Sequence, residues 1–316
     1  MRTIRLTLQH VFFCVLTFTT MTLWSPRSEA IAIRDDLAVT GYENLSLAPS
    51  YAAAGWLGEK DGTAVWQRCS GTLVATNKVL TAAHCLDENV DQVFDIGLDQ
   101  LEFGFGQNLP GVFANNVIGA AINPKWDGNA TYDLAVLTLM DAILGVTPAP
   151  LYAGNVQGQT GVMVGYGVQG DGSQVPKNIW GAGPAHDRLA AVNVMDVADQ
   201  TDIETDFDKP DGTTNTLGDA TYPTPNFLEG TTCFGDSGGP LFSFALGVSV
   251  VGVLSGGYNP YGNDCEYGDV SVWAPIRNDD NVSFLRSQGL SIPEPPVVLL
   301  LLMGLGIIQL SRRLGT

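Results

Sequence analysis

Basic residues are scarce in this chain of 316 residues, which has 15 Lys and Arg against 33 Asp and Glu. Between Ile31 and Ile292 the balance is 10 basic to 31 acidic residues, a net charge of about −21. Because a phosphate backbone is bound mainly through Lys and Arg, this composition argues against a nucleic-acid partner. The negative charge instead favours a protein that works outside the cell and is kept soluble by its surface charge.

Histidine and cysteine are also few. The three histidines are His10, His84 and His186. One of the five cysteines lies in the apolar amino-terminal stretch, and the other four are Cys69, Cys85, Cys233 and Cys265. An even number in an exported chain predicts two disulfides, for which sequence alone permits three pairings. The chain has no Cys-x-x-Cys and no His pair, so we expect no metal site of that kind.

Long amphipathic helical patterns and internal repeats are lacking, whereas glycine is abundant at 37 residues. Short alternating or apolar segments predict strands at 65–69, 71–74, 79–81, 133–139, 161–167, 189–194, 240–244, 248–254 and 269–273. The best helical segment is 278–288, and prolines near residue 150 separate two halves, 31–150 and 151–288. The pattern therefore predicts an all-β protein with two closed or nearly closed barrels.

Both ends have the pattern of targeting segments. Residues 1–30 combine Arg2 and Arg5, an apolar stretch and the small-x-small site Ser28-Glu29-Ala30, which predicts a secretory signal. An amino-terminal membrane helix is the minor alternative. Residues 289–316 hold a Pro-Glu-Pro motif, an apolar run of 14 residues and a basic end. That run is shorter than the roughly 20 residues of an independent span.

The tail around Pro293-Glu294-Pro295 resembles the PEP-CTERM sorting signal of Gram-negative bacteria. The resemblance implies a secreted or cell-surface protein. Signal peptidase would remove residues 1–30, and the tail would then tether the protein to the membrane until an exosortase-type enzyme cleaves the tail. A permanent carboxy-terminal anchor is the alternative, whereas a GPI signal would end in its apolar tail.

Three motifs carry the chemistry. His84 stands in Thr-Ala-Ala-His-Cys, Asp133 follows Tyr132, and Ser237 stands in Gly-Asp-Ser-Gly-Gly, at spacings of 49 and 104 residues. A serine hydroxyl is a weak nucleophile that needs a base within hydrogen-bond reach, and the base needs a group that orients it. The order His, Asp, Ser is that of the chymotrypsin β-barrels.

These motifs, with Gly165-Tyr166-Gly167, resemble the trypsin-like serine proteases over about residues 65–273. The resemblance implies two antiparallel Greek-key barrels with the active site between them, and a short carboxy-terminal helix. It implies an endopeptidase that acts on proteins or peptides through an acyl-enzyme, with Ser237 as the nucleophile, His84 as the base, Asp133 as its orienting group, and no cofactor.

The same resemblance assigns further roles. The backbone N–H groups of Gly235 and Ser237 would form the oxyanion hole, and Gly235 would suit a positive φ. The implied disulfides are Cys69–Cys85 and Cys233–Cys265.

Activation in this family uses a new amino terminus that pairs with the aspartate before the serine, here Asp236. The usual Ile-Val-Gly-Gly is absent, but cleavage after Ala30 would expose Ile31, so we expect export itself to activate the enzyme. Ile31 and His84 are 53 residues apart, which predicts that residues 43–62 loop out.

The resemblance places Thr231 at the base of the specificity pocket and Ser255, Gly256 and Gly257 along its wall. Trypsin-like cleavage uses an aspartate at the first position, so Thr231 favours an apolar or small residue before the cut. Asp269 or Glu266 is the alternative, because either would bring a negative charge from the other wall.

Two alternatives remain. The acidic stretch 196–219 is read as a solvated loop, with a Ca²⁺ site as its alternative. The second concerns function: a non-catalytic binding module displayed on the surface would use the same fold. The complete set of His84, Asp133 and Ser237 favours the enzyme.

Overall fold

The structure is a computed structural model, and it describes residues 28–29, 31–62, 64–106, 114–173, 186–218, 226–245 and 247–293. Most of the predicted signal segment and most of the predicted tail lie outside these residues, as does Cys14. In the described part of the chain, no helix is both long and apolar enough to cross a membrane.

Strands dominate both halves. The amino-terminal half contains β1 (Ser28–Glu29), β2 (Ala32–Ile33), β3 (Ala54–Asp61), β4 (Ala64–Ala75), β5 (Lys78–Thr81), β6 (Leu101–Gly104), β7 (Asn115–Ile122) and β8 (Ala135–Leu139). The carboxy-terminal half contains β9 (Thr160–Gly165), β10 (Gly170–Asp171), β11 (His186–Asp187), β12 (Leu189–Val194), β13 (Val197–Ala198), β14 (Ile203–Asp206), β15 (Gly230–Thr231), β16 (Pro240–Ser243), β17 (Ser249–Tyr258) and β18 (Val270–Pro275).

The helices are few and short. Among the residues that the structure describes, the two α-helices are α1 (Val39–Ser46) and α2 (Asp279–Ser287), and the 3₁₀ turns are Pro49–Tyr51, Leu98–Gln100 and Ala130–Tyr132. The predicted all-β class is confirmed, including the short helix that follows the last strand.

The first sheet is a closed, wholly antiparallel barrel in the order β3-β4-β5-β8-β7-β6. Strands β3, β4 and β5 follow one another, and β6 returns to lie beside β3, which is a Greek-key connection. The prediction had two strands between residues 65 and 74, and these are one continuous strand, β4.

The second sheet has seven antiparallel strands in the order β12-β9-β16-β17-β18-β14-β13 and is barrel-like rather than closed. One buried cluster joins the two sheets, because Leu73 and Leu137 of the first pack in the same core as Val162 and Phe242 of the second. This shared core holds the facing edges of the sheets at a constant separation, so a site built across them is rigid.

The segment predicted to loop out does not do so. Its first residues belong to α1, which packs on the second sheet, and its last residues form β3 of the barrel. Tyr42 is fully buried and its hydroxyl donates to the Glu229 carbonyl at 2.8 Å, while Ser46 Oγ donates to the Arg188 carbonyl at 3.0 Å. Four residues separate Tyr42 from Ser46, so one helix face makes both contacts.

Helix α2 ties the end of the folded part to the first barrel. Its N-cap is Asn278, whose side chain accepts from the N–H groups of Asp280 and Asn281. The buried amide of Asn281 donates to the Thr131 carbonyl at 2.7 Å and accepts from Asn123 at 2.8 Å.

Candidate active site

His84 and Asp133 meet at one end of the first barrel. His84 follows β5 and Asp133 precedes β8, and these strands pair with Thr81 opposite Ala135. His84 Nδ1 lies 2.6 Å from Asp133 Oδ2, and the His84 N–H donates to Asp133 Oδ1 at 2.9 Å. The carboxylate is fully buried, so it is shielded from water while it holds the ring.

Ser255 supplies a third hydrogen bond to that carboxylate, from the second sheet. Its Oγ donates to Asp133 Oδ2 at 2.6 Å. The sequence had assigned Ser255 to the pocket wall, but its hydroxyl is committed to Asp133. The hydroxyl proton of Ser255 is therefore directed at Asp133 and not into the predicted pocket.

Ser237 lies on the loop between β15 and β16. Its carbonyl accepts from the Ser70 N–H at 2.7 Å, and the next residue, Gly238, donates to the Leu254 carbonyl at 2.9 Å. Gly238 has φ +77°, and a Cβ there would collide with Thr81 Oγ1. The loop thus lies against both β4 and β5, the strands that lead to His84.

Among the hydrogen bonds of the described residues, there is none between Ser237 Oγ and His84 Nε2. The contact that His84 Nε2 does make is with Cys85 Sγ, at 4.0 Å. In proteins without substrate such bonds are commonly long and shorten when substrate binds.

The predicted oxyanion loop has the backbone conformation that was expected of it. Gly235 has φ +92°, and a Cβ there would lie 3.0 Å from the Gly167 Cα. Its carbonyl accepts from Gln67 Nε2 at 2.9 Å and from Ser70 Oγ at 3.3 Å. Gln67 was not predicted as a site residue. The sequence signal that could have indicated it is a polar side chain within a predicted strand, two residues before Cys69.

Asp236 is buried beneath this loop and directed towards Ile31. Its Oδ1 accepts from Gly167 N–H at 2.7 Å, and its Oδ2 accepts from Cys233 N–H at 2.8 Å and Ile31 N–H at 3.3 Å. Burial raises the pKa of Asp236 to about 7, although the backbone donors act in the opposite direction. A Cβ at Gly165 would collide with this carboxylate, so the close approach requires glycine.

Ile31 lies beside Asp236 at the start of the folded part, and its role in activation stays a prediction. It is fully buried with φ +64°, and the next residues form β2, which lies between β10 and β15. In this structure the Ile31 nitrogen is a peptide amide, because the chain continues through Ala30 to β1, which pairs with β11.

Both predicted disulfides are formed, Cys69–Cys85 and Cys233–Cys265. In the described part of the chain, the one cluster with metal-ligand spacing is Cys69, His84 and Cys85, and its two sulfurs are bonded to each other. They are therefore not thiolate ligands. Two disulfides fit an extracellular protein.

Thr231 is fully buried, and its hydroxyl donates to Asp269 Oδ2 at 3.1 Å. Gly256 and Gly257 lie near the end of β17, opposite Val272 and Ser271 of β18. A Cβ at Gly256 would meet nothing within 4 Å, so the space beside this strand is open.

The acidic stretch 196–219 is more ordered than a solvated loop, because it contains β13 and β14. Its carboxylates cap turns: Asp206 Oδ2 accepts from the N–H groups of Thr216 and Leu217. Hydrogen bonds from Thr213 lower the pKa of Asp211 to about 2. Calcium binding here stays a prediction.

A family model described as Trypsin matches residues 56–275. The match covers more than half of the chain, which therefore belongs to the trypsin family. This assignment agrees with the two facing sheets and with the carboxylate that links His84 to Ser255.

Curated relatives include serine proteases at low identity. Spermosin from Halocynthia roretzi is 29% identical over 227 residues, which cover 67% of this chain and 52% of spermosin. Serine protease Hayan from Drosophila melanogaster is 27% identical over 216 residues, covering 60% of this chain and 31% of Hayan. Chymotrypsin-like elastase family member 1 from Canis lupus familiaris is 33% identical over 93 residues, 26% of this chain and 34% of the elastase. The chain thus spans about half the length of spermosin and less of the others.

Proposed function

We propose that this protein is a serine endopeptidase that cleaves peptide bonds through an acyl-enzyme intermediate. The observation that carries the proposal is the fully buried Asp133 carboxylate, which contacts His84 Nδ1 and Ser255 Oγ, both at 2.6 Å. It supports a role in which Asp133 holds one imidazole tautomer and stabilises the imidazolium. Protein or peptide substrates are what membership of the trypsin family supports.

In the proposed mechanism His84 Nε2 removes the proton of Ser237 Oγ as that oxygen attacks the substrate carbonyl. His84 then gives this proton to the leaving amine, and a water molecule repeats the sequence to release the acid. The N–H groups of Gly235 and Ser237 would donate to the oxyanion, and the positive φ of Gly235 supports this orientation. Loss of one such donor typically costs about 3 kcal/mol.

Activation by export is part of the proposal. Cleavage after Ala30 would convert the Ile31 amide, 3.3 Å from Asp236 Oδ2, into an ammonium at the same place. An ammonium and a buried carboxylate attract far more strongly than an amide and a carboxylate do. Removal of the signal segment would thus create the ion pair between Ile31 and Asp236 that stabilises the oxyanion loop, and no second cleavage would be needed.

The terminal segments define the proposed route. Residues 1–30 would be removed by signal peptidase, and residues 289–316 would tether the enzyme until an exosortase-type enzyme cleaves near Pro293. The enzyme would then be secreted or retained in the envelope of a Gram-negative bacterium, in agreement with its two disulfides.

One labelling experiment tests both the activity and its activation. Three forms are treated with a fluorophosphonate probe: a chain that begins at Ile31, a chain that retains Ala30, and the Ile31 form with Ser237→Ala. We expect rapid labelling of the first, labelling at least tenfold slower of the second, and none of the third. Ser283→Ala, a change on the exposed face of α2, is the matched control and should label normally.

The outcomes separate the alternatives. No labelling of the correctly folded Ile31 form would reject the enzyme and favour the non-catalytic binding module. Equal labelling of the Ile31 and Ala30 forms would reject activation by export and leave the protease assignment standing.

A further inference from the structure

Ser70 is fully buried in β4, where this strand of the first barrel passes the loop of Ser237. Its N–H donates to the Ser237 carbonyl at 2.7 Å, and its carbonyl accepts from Thr81 Oγ1 at 2.8 Å. Thr81 is the last residue of β5 and stands three residues before His84. The backbone of Ser70 is therefore fixed between the two segments that carry Ser237 and His84.

The Ser70 hydroxyl makes two further contacts, both with the carboxy-terminal half. It accepts from the Tyr166 N–H at 3.2 Å and donates to the Gly235 carbonyl at 3.3 Å. Tyr166 directly precedes Gly167, whose N–H donates to Asp236 at 2.7 Å. Burial of a hydroxyl is unfavourable unless it is hydrogen-bonded, and this one uses both its acceptor and its donor capacity. One side chain of the first barrel thus joins the segment that supports Asp236 to the predicted oxyanion loop.

A β-bulge at Arg68 explains why Ser70 faces the same loop as Gln67. The pairing of β4 with β3 skips Arg68, because the residues on either side of it pair with consecutive residues of β3. Side chains of a regular strand alternate, so residues three apart lie on opposite faces. One extra residue shifts this alternation, and Gln67 and Ser70 both reach the Gly235 carbonyl, at 2.9 and 3.3 Å.

The carbonyl that these two side chains hold belongs to one of the two peptide groups that flank Gly235. The other peptide group is held by Val168, whose N–H donates to the Phe234 carbonyl at 2.7 Å. In a trans peptide the N–H is directed opposite to the carbonyl, so this bond sets the direction of the Gly235 N–H. Gly235 has φ +92° and no Cβ, so its own backbone preferences restrain neither peptide group. Partners outside the loop must therefore fix both of them.

We propose that Ser70 is a positioning residue for the oxyanion hole: its hydroxyl and Gln67 together hold the Gly235 carbonyl, so that the Gly235 N–H keeps the direction in which it donates to the oxyanion. The proposal rests on the protease function proposed above and deepens it. Ser70 acts through Gly235, because its own side chain is fully buried. Since the oxyanion forms only as the reaction proceeds, the hydroxyl supports kcat rather than substrate binding.

The two donors to the Gly235 carbonyl are not equivalent. Gln67 Nε2 lies at 2.9 Å, whereas 3.3 Å is long for a hydroxyl donor such as Ser70 Oγ. While Gln67 is present, loss of the Ser70 hydroxyl leaves the carbonyl with its closer partner. When Gln67 is absent, the same loss removes the second donor as well, and a carbonyl that loses its partners is more destabilising than one that keeps one of them. The contribution of Ser70 to kcat therefore depends on Gln67.

A double-mutant cycle in the form that begins at Ile31 tests this dependence, with kcat and KM measured on one peptide substrate. Ser70→Ala alone should lower kcat about threefold, and in the Gln67→Ala background it should lower kcat by at least about tenfold. KM should change by less than about twofold in each case. Ser243→Ala is the matched control, because Ser243 is an equally buried serine at the far end of β16 whose hydroxyl accepts from the Ala245 N–H. It should leave kcat unchanged in both backgrounds.

A peptidyl trifluoromethyl ketone distinguishes positioning from stability. Ser237 Oγ adds to the ketone carbon, the hydroxyl proton passes to His84, and the ketone oxygen becomes an oxyanion that the Gly235 N–H would bind. In the Gln67→Ala background, we expect Ser70→Ala to weaken inhibition by the ketone by the same factor as it lowers kcat. The matched peptidyl alcohol forms no oxyanion, and its affinity should change by less than about twofold. Equal losses for the ketone and the alcohol would overturn the proposal, because they would indicate a general loss of the folded site.

Equal effects of Ser70→Ala with and without Gln67 would also overturn the proposal, as would a loss that appears in KM alone. Ser70→Gly removes the same hydroxyl and takes over the test should Ser70→Ala fail to fold. Failure of the protease assignment gives a different pattern: the unaltered enzyme would neither hydrolyse the peptide nor be labelled at Ser237 by the fluorophosphonate, and both proposals would be rejected. Labelling and hydrolysis that Ser70→Ala does not affect in either background reject the role of Ser70 only.

Discussion

The carboxy-terminal half contains two buried carboxylates, Asp236 and Asp269, whose pKa values are raised by burial in the same way. Each is at most 3% exposed, and burial raises the pKa of each to about 7. Their partners differ. Asp236 accepts from the N–H groups of Gly167, Cys233 and Ile31, whereas Asp269 accepts from the Thr231 hydroxyl and from the backbone of Cys265 and Val270.

This difference teaches how the same burial serves two purposes. The backbone donors around Asp236 belong to three separate chain segments, so this carboxylate organises the protein itself. The donors around Asp269 belong to β15 and to the segment just before and at the start of β18, so this carboxylate joins two neighbouring segments of the carboxy-terminal half. A perturbed pKa alone would not have distinguished the two carboxylates, and the hydrogen-bond partners do.

The largest effect on kcat/KM should come from replacing Asp236, the carboxylate beneath the loop of Ser237. Asp236→Asn in the Ile31 form removes the charge that would pair with the Ile31 ammonium, and loss of one partner of a buried pair costs about 3–5 kcal/mol. We expect kcat/KM to fall by about 100- to 1000-fold for every peptide, basic or not. Rates on two peptides, one with Lys and one with Leu before the cut, measure this. An unchanged rate would break the comparison, because Asp236 would then not support the loop of Ser237.

The next effect is a pH dependence of stability that distinguishes the unprocessed chain from the processed one. In the chain that retains Ala30, the pKa of Asp236 is raised from its ordinary value near 3.8 to about 7. A raised pKa means that the native state favours the protonated acid, so stability is full below about pH 4 and is lost as the pH rises to about 7. The loss is at most about 4 kcal/mol.

In the Ile31 form the new ammonium lowers the pKa of Asp236 and removes most of that loss. We therefore expect the Tm of the Ala30 form to fall relative to that of the Ile31 form between pH 5 and pH 7.5, by several degrees. Thermal unfolding of both forms measures it. Asp236→Asn in the Ala30 form is the control and should flatten the difference, whereas parallel curves for the two unaltered forms would contradict the role of Ile31.

The smallest effect should come from Gln67, which holds the oxyanion loop without charge. Gln67→Ala removes the 2.9 Å hydrogen bond to the Gly235 carbonyl, and one such bond contributes about 1 kcal/mol. We expect kcat to fall about five- to tenfold with KM little changed, equally for basic and apolar peptides. Gln92→Ala, which removes a similar bond to the Trp126 carbonyl away from this loop, is the matched control. An equal loss in both variants would mean that Gln67 contributes only stability.

Several strands and the contact of His84 with Asp133 could be predicted because their signals are local. Strand β12 coincides with its predicted range, and α2 lies within the predicted helical segment, because alternation and capping depend on neighbouring residues. Helix α1 was missed, since its two buried residues, Tyr42 and Ser46, give a weak apolar pattern in so short a segment. The contact of Gln67 with Gly235 was missed for another reason: it joins residues 168 positions apart.

By itself the sequence determined the class of fold and the family. The motifs at His84, Asp133 and Ser237, with glycines where a Cβ would collide, are the local signals that point to both. Tertiary structure alone decided what the remaining polar groups do. It brought Gln67 to Gly235 across 168 residues, gave the Ser255 hydroxyl to Asp133, and paired the Thr231 hydroxyl with Asp269. These outcomes depend on strand register and on the packing of one sheet against the other, which no local pattern encodes.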